Sequence, residues 1–150
     1  MDNIDNKITF IHKKNLIHNY KTIKKRVEKS KVMSVIKGDA YGHGILECSK
    51  ILKNNGCNHF YVARLDDAIS LRKKHKNYTN IYLLSGPISK EICNYLKRYK
   101  IIPIINNLNQ LEVLNRYKSE LNCILHFDTG MNRLGFKFHE INQIKEKINF

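Results

Sequence analysis

The chain has 150 residues, 42% of them hydrophobic and 27% charged, which is enough apolar content to bury one core. It has no apolar stretch of bilayer length, and the opening Met1-Asp2-Asn3-Ile4-Asp5-Asn6-Lys7 lacks the basic-then-apolar layout of a secretion signal, so a cytoplasmic address and no membrane partner are expected. A net charge of +14 would suit nucleic acid, but the runs Lys24-Lys25-Arg26 and Arg72-Lys73-Lys74 fall on polar helix faces and read as solvated surface, so no specific nucleic-acid partner is expected.

Leu16, Tyr20, Ile23 and Val27 recur at helical spacing and predict an amphipathic helix over 15–29. Residues 32–36 form a short apolar run, predicted as the first strand. A helix over 45–54 follows, with Ile45, Cys48, Ile51 and Leu52 inward and Gly56 at its end. The second strand is predicted at 59–63. The next helix carries Leu65, Ala68, Ile69 and Leu71, with Asp66 and Asp67 suiting its amino end. The third strand spans 81–84, and Ser89 then caps a helix that buries Ile92, Tyr95, Leu96 and Tyr99. A fourth strand at 101–105, a helix lined by Leu108, Leu111 and Leu114, a fifth strand at 122–127 and a helix starting near Glu140 complete the chain.

Strands alternating with helices, with no linker between them, predict successive βαβ units, an α/β fold and a parallel sheet. A closed (β/α)8 barrel needs about 250 residues. Five strands therefore make a partial TIM-type barrel, one domain or part of one. Cys48, Cys57, Cys93 and Cys123 show no paired spacing, and no His-x3-His or Cys-x2-Cys pair occurs. Reduced, apolar cysteines and no metal site are expected.

The candidate site lies where the first strand ends. Lys37 follows an apolar run and precedes the glycine-rich Gly38-Asp39-Ala40-Tyr41-Gly42-His43-Gly44. A lysine at the carboxyl end of a parallel strand points into the mouth where catalytic loops gather. Glycines let backbone amides approach an anion, and the helix opening near Ile45 would add its positive end.

The run Ile36-Lys37-Gly38-Asp39-Ala40-Tyr41-Gly42-His43-Gly44 resembles the pyridoxal-phosphate attachment motif of alanine racemases, in which Ala or Ala-Asn usually stands at Gly38-Asp39. Phe127-Asp128-Thr129-Gly130-Met131-Asn132-Arg133-Leu134-Gly135-Phe136 resembles the same family's Asp-Thr-Gly-Met loop. Phe60 to Ala68 and Tyr82 to Gly86 are similar to its second and third barrel strands, so the resemblance covers nearly the whole chain.

The resemblance implies interconversion of L- and D-alanine, supplying D-alanine for peptidoglycan. It makes Lys37 the residue that holds pyridoxal 5'-phosphate and moves the α-proton on one face of the substrate. Tyr41 would bind the cofactor phosphate. Arg133 would contact the cofactor phenolic oxygen and the substrate carboxylate, and Met131 would lend a backbone contact near that carboxylate. His43 reads as a turn residue. Many family members place a carbamylated lysine where this chain has His126, so Arg133 is expected to be held by another group, or by neutral His126 accepting a hydrogen bond. The resemblance assigns 1–150 to the N-terminal part of the cofactor-binding barrel, without its last strands and without the C-terminal β domain. The full-length family forms homodimers in which a partner's tyrosine serves the opposite face, and the 150-residue chain alone is expected not to turn over. The alternatives are another pyridoxal-phosphate barrel protein, such as a serine or lysine racemase or a cofactor-homeostasis protein, or a non-catalytic remnant.

Overall fold

The computed structural model describes residues 10–76, 78–117 and 121–148. Helix α1 (Lys13–Arg26) leads into strand β1 (Ser34–Val35), the single turn α2 (Lys37–Gly42) and helix α3 (Ile45–Lys53). The order then runs β2 (His59–Val62), α4 (Leu65–His75), β3 (Asn80–Leu83), α5 (Lys90–Arg98), β4 (Ile102–Ile105), α6 (Leu108–Arg116), β5 (Ile124–Leu125) and α7 (Ile141–Lys147). The strands pair in parallel in chain order, β1-β2-β3-β4-β5. Consecutive parallel pairing with a helical crossover at each step is the construction of a (β/α) barrel, of which this sheet is part.

Register sets which residues share a face. Ser34 pairs with Phe60 and Phe60 with Ile81, while Val62 pairs with Leu83. Phe60, Val62, Ile81 and Leu83 are buried beneath the helices with Ala68, Leu71 and Leu96. Each large apolar side chain removed from water in this way contributes about 1.5–3 kcal/mol. The opposite face carries Val35, Tyr61 and Tyr82, with the two tyrosine rings stacked at 4.7 Å. A second cluster, Cys93, Ile105, Leu111, Leu114, Phe136 and Ile144, anchors α7 and the loop after β5.

The five strands and the helices other than α2 lie where the sequence reading put them; α2 falls in the segment read as a glycine-rich turn, and several further details differ. The first and fifth strands are two residues each, because they are edge strands with a neighbour on one side only. Ile23 and Val27 were expected in the apolar stripe of α1 but are 53% and 38% exposed, since no element among the described residues covers the end of that helix. Tyr95 is likewise exposed and stacks along its own helix on Tyr99 at 6.4 Å. All four cysteines are free; Cys48, Cys57 and Cys93 are buried as expected, whereas Cys123 is exposed just before the edge strand β5. No helix among the described residues is long and apolar enough to cross a membrane.

Two buried polar ties brace the helical layer. Ser49 Oγ donates to the Leu46 carbonyl and so accepts from His75 Nε2 at 2.8 Å, joining α3 to α4. Burial, followed by the nearby Lys53, lowers the His75 pKa and keeps the ring neutral. Arg72 has no carboxylate partner among the described residues. Its guanidinium instead donates to the carbonyls of Tyr99 (2.7 Å), Lys100 (2.7 Å), Thr79 (2.9 Å) and Lys76, closing the end of the sheet opposite Lys37. Bonds of this kind from a charged donor are worth about 1.5–3 kcal/mol. Arg72→Met should therefore lower stability by about 3 kcal/mol in urea denaturation, and a loss within about 0.5 kcal/mol would show that water replaces these contacts.

Candidate functional site

The sheet's last rung before Lys37 is the Ile36 amide donating to the Tyr61 carbonyl at 2.9 Å. Beyond it the chain turns the wrong way for an L-peptide. Gly38, Asp39, Ala40 and Tyr41 all lie at φ between 54° and 58°, a single turn of left-handed helix. Each non-glycine residue in that region costs roughly 1–2 kcal/mol. The turn is held by burial of Ala40, by the Ala40 amide donating to Ile36 O at 3.0 Å, and by His43 Nδ1 donating to Ala40 O at 2.9 Å. Asp39 Oδ1 accepts the Ile45 amide at 2.7 Å. One of the amides at the amino end of α3 is thus answered by a carboxylate of this chain.

Lys37 is half-buried and enters a cleft of about 580 Å³ lined by Ala63, Leu84, Ser85, Asn106, His126, Phe127, Asp128, Thr129, Met131, Arg133 and Leu134. Residues 63, 84–85, 106 and 126 each sit just past the carboxyl end of a strand, the rim where barrels assemble ligand sites. Lys37, Met131 and Arg133 are thus brought together. Tyr41 is not: it is 62% exposed and borders a neighbouring apolar groove with Ile36, Ala40 and His43, beside α1.

Beneath the cleft lies a polar network that the sequence did not single out. Asn106 Nδ2 donates to Leu84 O at 2.8 Å and Ile104 O at 3.1 Å, and its Oδ1 is 2.8 Å from His126 Nδ1. Gln110 accepts the Asn106 amide at 2.8 Å and donates to Ser85 O at 2.6 Å. Both amide side chains are buried. Their only trace in the sequence is polar Asn106 following the apolar run Ile101-Ile102-Pro103-Ile104-Ile105.

The loop carrying Arg133 is folded on Asp128. Its Oδ1 accepts the Gly130 and Asn132 amides, each at 3.0 Å, and Oδ2 accepts from Lys137 Nζ at 2.6 Å. The Lys137 ammonium and the two backbone amides hold this carboxyl far below the usual range. Phe136 returns to the sheet, its amide donating to His126 O at 2.7 Å, and its buried ring fixes the loop's far end. Between these anchors Met131 and Arg133 are exposed on the cleft side.

The profile of the alanine racemase N-terminal domain matches residues 11–150. The chain belongs to the alanine racemase family. The alanine racemase of Rickettsia bellii (strain RML369-C) is 38% identical over 117 residues, covering 75% of this chain and 28% of that protein. The alanine racemase of Rickettsia canadensis (strain McKiel) is 36% identical over 131 residues, covering 85% of this chain and 37% of its own length. The structure of biosynthetic alanine racemase from Pseudomonas aeruginosa aligns with a TM-score of 0.81 at 28% identity, over 89% of this chain and 38% of that one. The Bartonella henselae alanine racemase, solved with covalently bound pyridoxal phosphate, aligns with a TM-score of 0.81 at 27% identity, over 93% of this chain and 42% of that one. The chain therefore spans well under half the length of these alanine racemases, and the partial barrel corresponds to a section of theirs.

Two tests follow from this geometry. A Cβ at Gly86 (φ 66°) would lie 2.5 Å from Gln110 Oε1 and 2.7 Å from Ile104 O, whereas at Gly38 (φ 58°) it would meet nothing within 4 Å. Gly86→Ala should cost about 3 kcal/mol through overpacking and backbone strain, and Gly38→Ala only about 1 kcal/mol, measured by urea denaturation of both. Equal losses would mean that the Gln110 bracket is dispensable. For Asp128, a folded pKa below the ordinary 3.8 means that the loop gains stability fully above that value and loses it as the pH falls through and beneath it. Amide exchange at Gly130 and Asn132 should accelerate selectively, relative to Phe60, below about pH 4, and a uniform change would sink the assignment.

Proposed function

We propose that this chain supplies the lysine-bearing portion of a pyridoxal-phosphate-dependent racemase that interconverts L- and D-alanine. The observation carrying this reading is that Lys37 and Arg133, from loops 96 positions apart, line one cleft at the carboxyl ends of a parallel sheet. The cleft volume of about 580 Å³ lies in the range of small-ligand sites. An amine on one wall, a forked cation on another and an apolar floor of Ala63 and Leu84 fit an anionic, aromatic aldehyde together with a small amino acid.

Pyridoxal phosphate, when bound, supplies an electron sink that acidifies the α-carbon of an attached amino acid. The protein's part is attachment, orientation and proton movement. The Lys37 amine holds the cofactor, then takes or returns the α-proton from one face. The Arg133 fork orients the substrate carboxylate, with a backbone contact from Met131. Tyr41, exposed on the same left-handed turn as the lysine, is assigned to the phosphate end. The group serving the opposite face is placed outside this chain. We further assign residues 1–150 to the N-terminal part of the cofactor-binding barrel domain of a cytoplasmic, homodimeric enzyme that supplies D-alanine for peptidoglycan.

Incubating the chain with pyridoxal phosphate and reducing with borohydride should place the label on Lys37, as mapped by peptide mass spectrometry. Lys37→Ala should lose that label while retaining the wild-type fold by circular dichroism. Label recovered only on surface lysines, or unchanged in Lys37→Ala, would end the proposal.

A further inference from the structure

We propose that Asn132 and Lys137 are positioning residues of the cleft: Asn132 supplies the left-handed step between Met131 and Arg133, and Lys137 locks that step onto Asp128. Exposure shows why such a device is needed. Met131 is 74% exposed and Arg133 is exposed as well, although both line the cleft, so neither is held there by burial. Where each side chain points is set by the backbone that carries it.

Asn132 stands between them and is not among the residues lining the cleft. Its φ is 56°, a left-handed conformation that asparagine tolerates and a β-branched residue does not. Its amide meets Asp128 Oδ1 at 3.0 Å, where the Gly130 amide also donates at 3.0 Å. The side chain is bonded at both ends: Nδ2 donates to Gly130 O at 3.3 Å, and Oδ1 accepts from Lys137 Nζ at 3.4 Å. With the amide reversed, a nitrogen would face the ammonium and an oxygen would face a carbonyl, so chemistry fixes the orientation.

Lys137 is rooted outside the segment it ties down. Its own amide donates to Glu140 Oε2 at 2.6 Å, and the preceding Phe136 amide donates to His126 O at 2.7 Å. From that base Nζ donates to Asp128 Oδ2 at 2.6 Å, on a carboxylate side chain that is only 3% exposed. A short, charge-assisted bond to a carboxylate shielded from water is stronger than a pairing of two exposed charges. The one ammonium therefore joins the foot of the loop, at Asp128, to its middle, at Asn132. It also offsets the charge of Asp128, itself a lining residue, so that an anion entering the cleft is not repelled there. The inference rests on the racemase reading only in giving Arg133 an anion to meet.

The test compares two readouts across one set of variants. The first is amide exchange at Gly130 and Asn132 relative to Phe60, and the second is borohydride-fixed capture of pyridoxal phosphate on Lys37 at a subsaturating concentration. Arg133→Leu gives the loss of capture that follows when the guanidinium is gone. Lys137→Met should accelerate both loop amides severalfold, leave Phe60 unchanged and reproduce that loss with Arg133 still present. Lys137→Arg, which keeps the ion pair, should restore both readouts. Asn132→Gly should stay near wild type, whereas Asn132→Val should accelerate exchange about tenfold through left-handed strain and lose capture. Unchanged exchange in Lys137→Met would overturn the lock, and equal behaviour of the two Asn132 variants would overturn the left-handed step. Faster exchange with capture intact would show that the loop does not place Arg133. Wild-type Lys37 that captures nothing, or Arg133→Leu that captures normally, would count against the racemase reading instead, leaving the loop amides to decide this inference.

Discussion

The last rung of the parallel ladder at each strand end is the constraint from which the site follows. The Ile36 amide donates to Tyr61 O, the Leu84 amide to Val62 O and the His126 amide to Ile105 O, each at 2.9 Å. In every case the hydrogen-bonded residue is itself a cleft residue or immediately precedes one: Lys37, Ser85 and His126. Parallel pairing keeps all five carboxyl ends on one rim, and these bonds fix the height at which each chain leaves it. Side chains far apart in sequence converge because the backbone beneath them is spent on the sheet.

Where a strand end lacks such a rung, a side chain replaces it. The Asn106 amide is received by Gln110 Oε1, one helical turn further on, and the Asn106 side chain then reaches across to Leu84 O and His126. A buried network of this kind stabilises only when complete, because each member left without its partner bears the desolvation cost alone. Gly86 reflects that requirement, having no Cβ to displace Gln110.

Much of this could be read from the residues. Apolar runs bounded by glycine and polar segments located the strands, 3.6-residue periodicity located the helices, and the two motifs around Lys37 and Arg133 identified one shared site. What escaped was set by tertiary context. Three of the four left-handed residues after Lys37 are not glycine, so nothing in Asp39-Ala40-Tyr41 announces their conformation. Nothing in the sequence marks Asp39 as the acceptor of the Ile45 amide, the first amide of α3. Asn106 and Gln110 carry no motif, and only their burial and hydrogen bonds tie them to the strand ends beneath the cleft. Tyr41 was joined to Lys37 by the family resemblance, yet a left-handed turn directs residues four apart quite differently from a strand or right-handed helix, and Tyr41 borders the adjoining groove.

The disposition of charge follows from the same commitments. Two carboxylates stand near the cleft, and each is consumed internally: Asp39 by the Ile45 amide, Asp128 by Lys137 and two loop amides. Neither is paired with Lys37 or with Arg133, so both cations face the cleft uncompensated by the acids closest to them in sequence. An anionic ligand entering between them would gain attraction without first breaking an ion pair, which is the costly step when a cationic site is already neutralised. Using the acids to shape the backbone, and not to balance the cations, leaves the charges of Lys37 and Arg133 turned to the cleft without a carboxylate partner among the described residues.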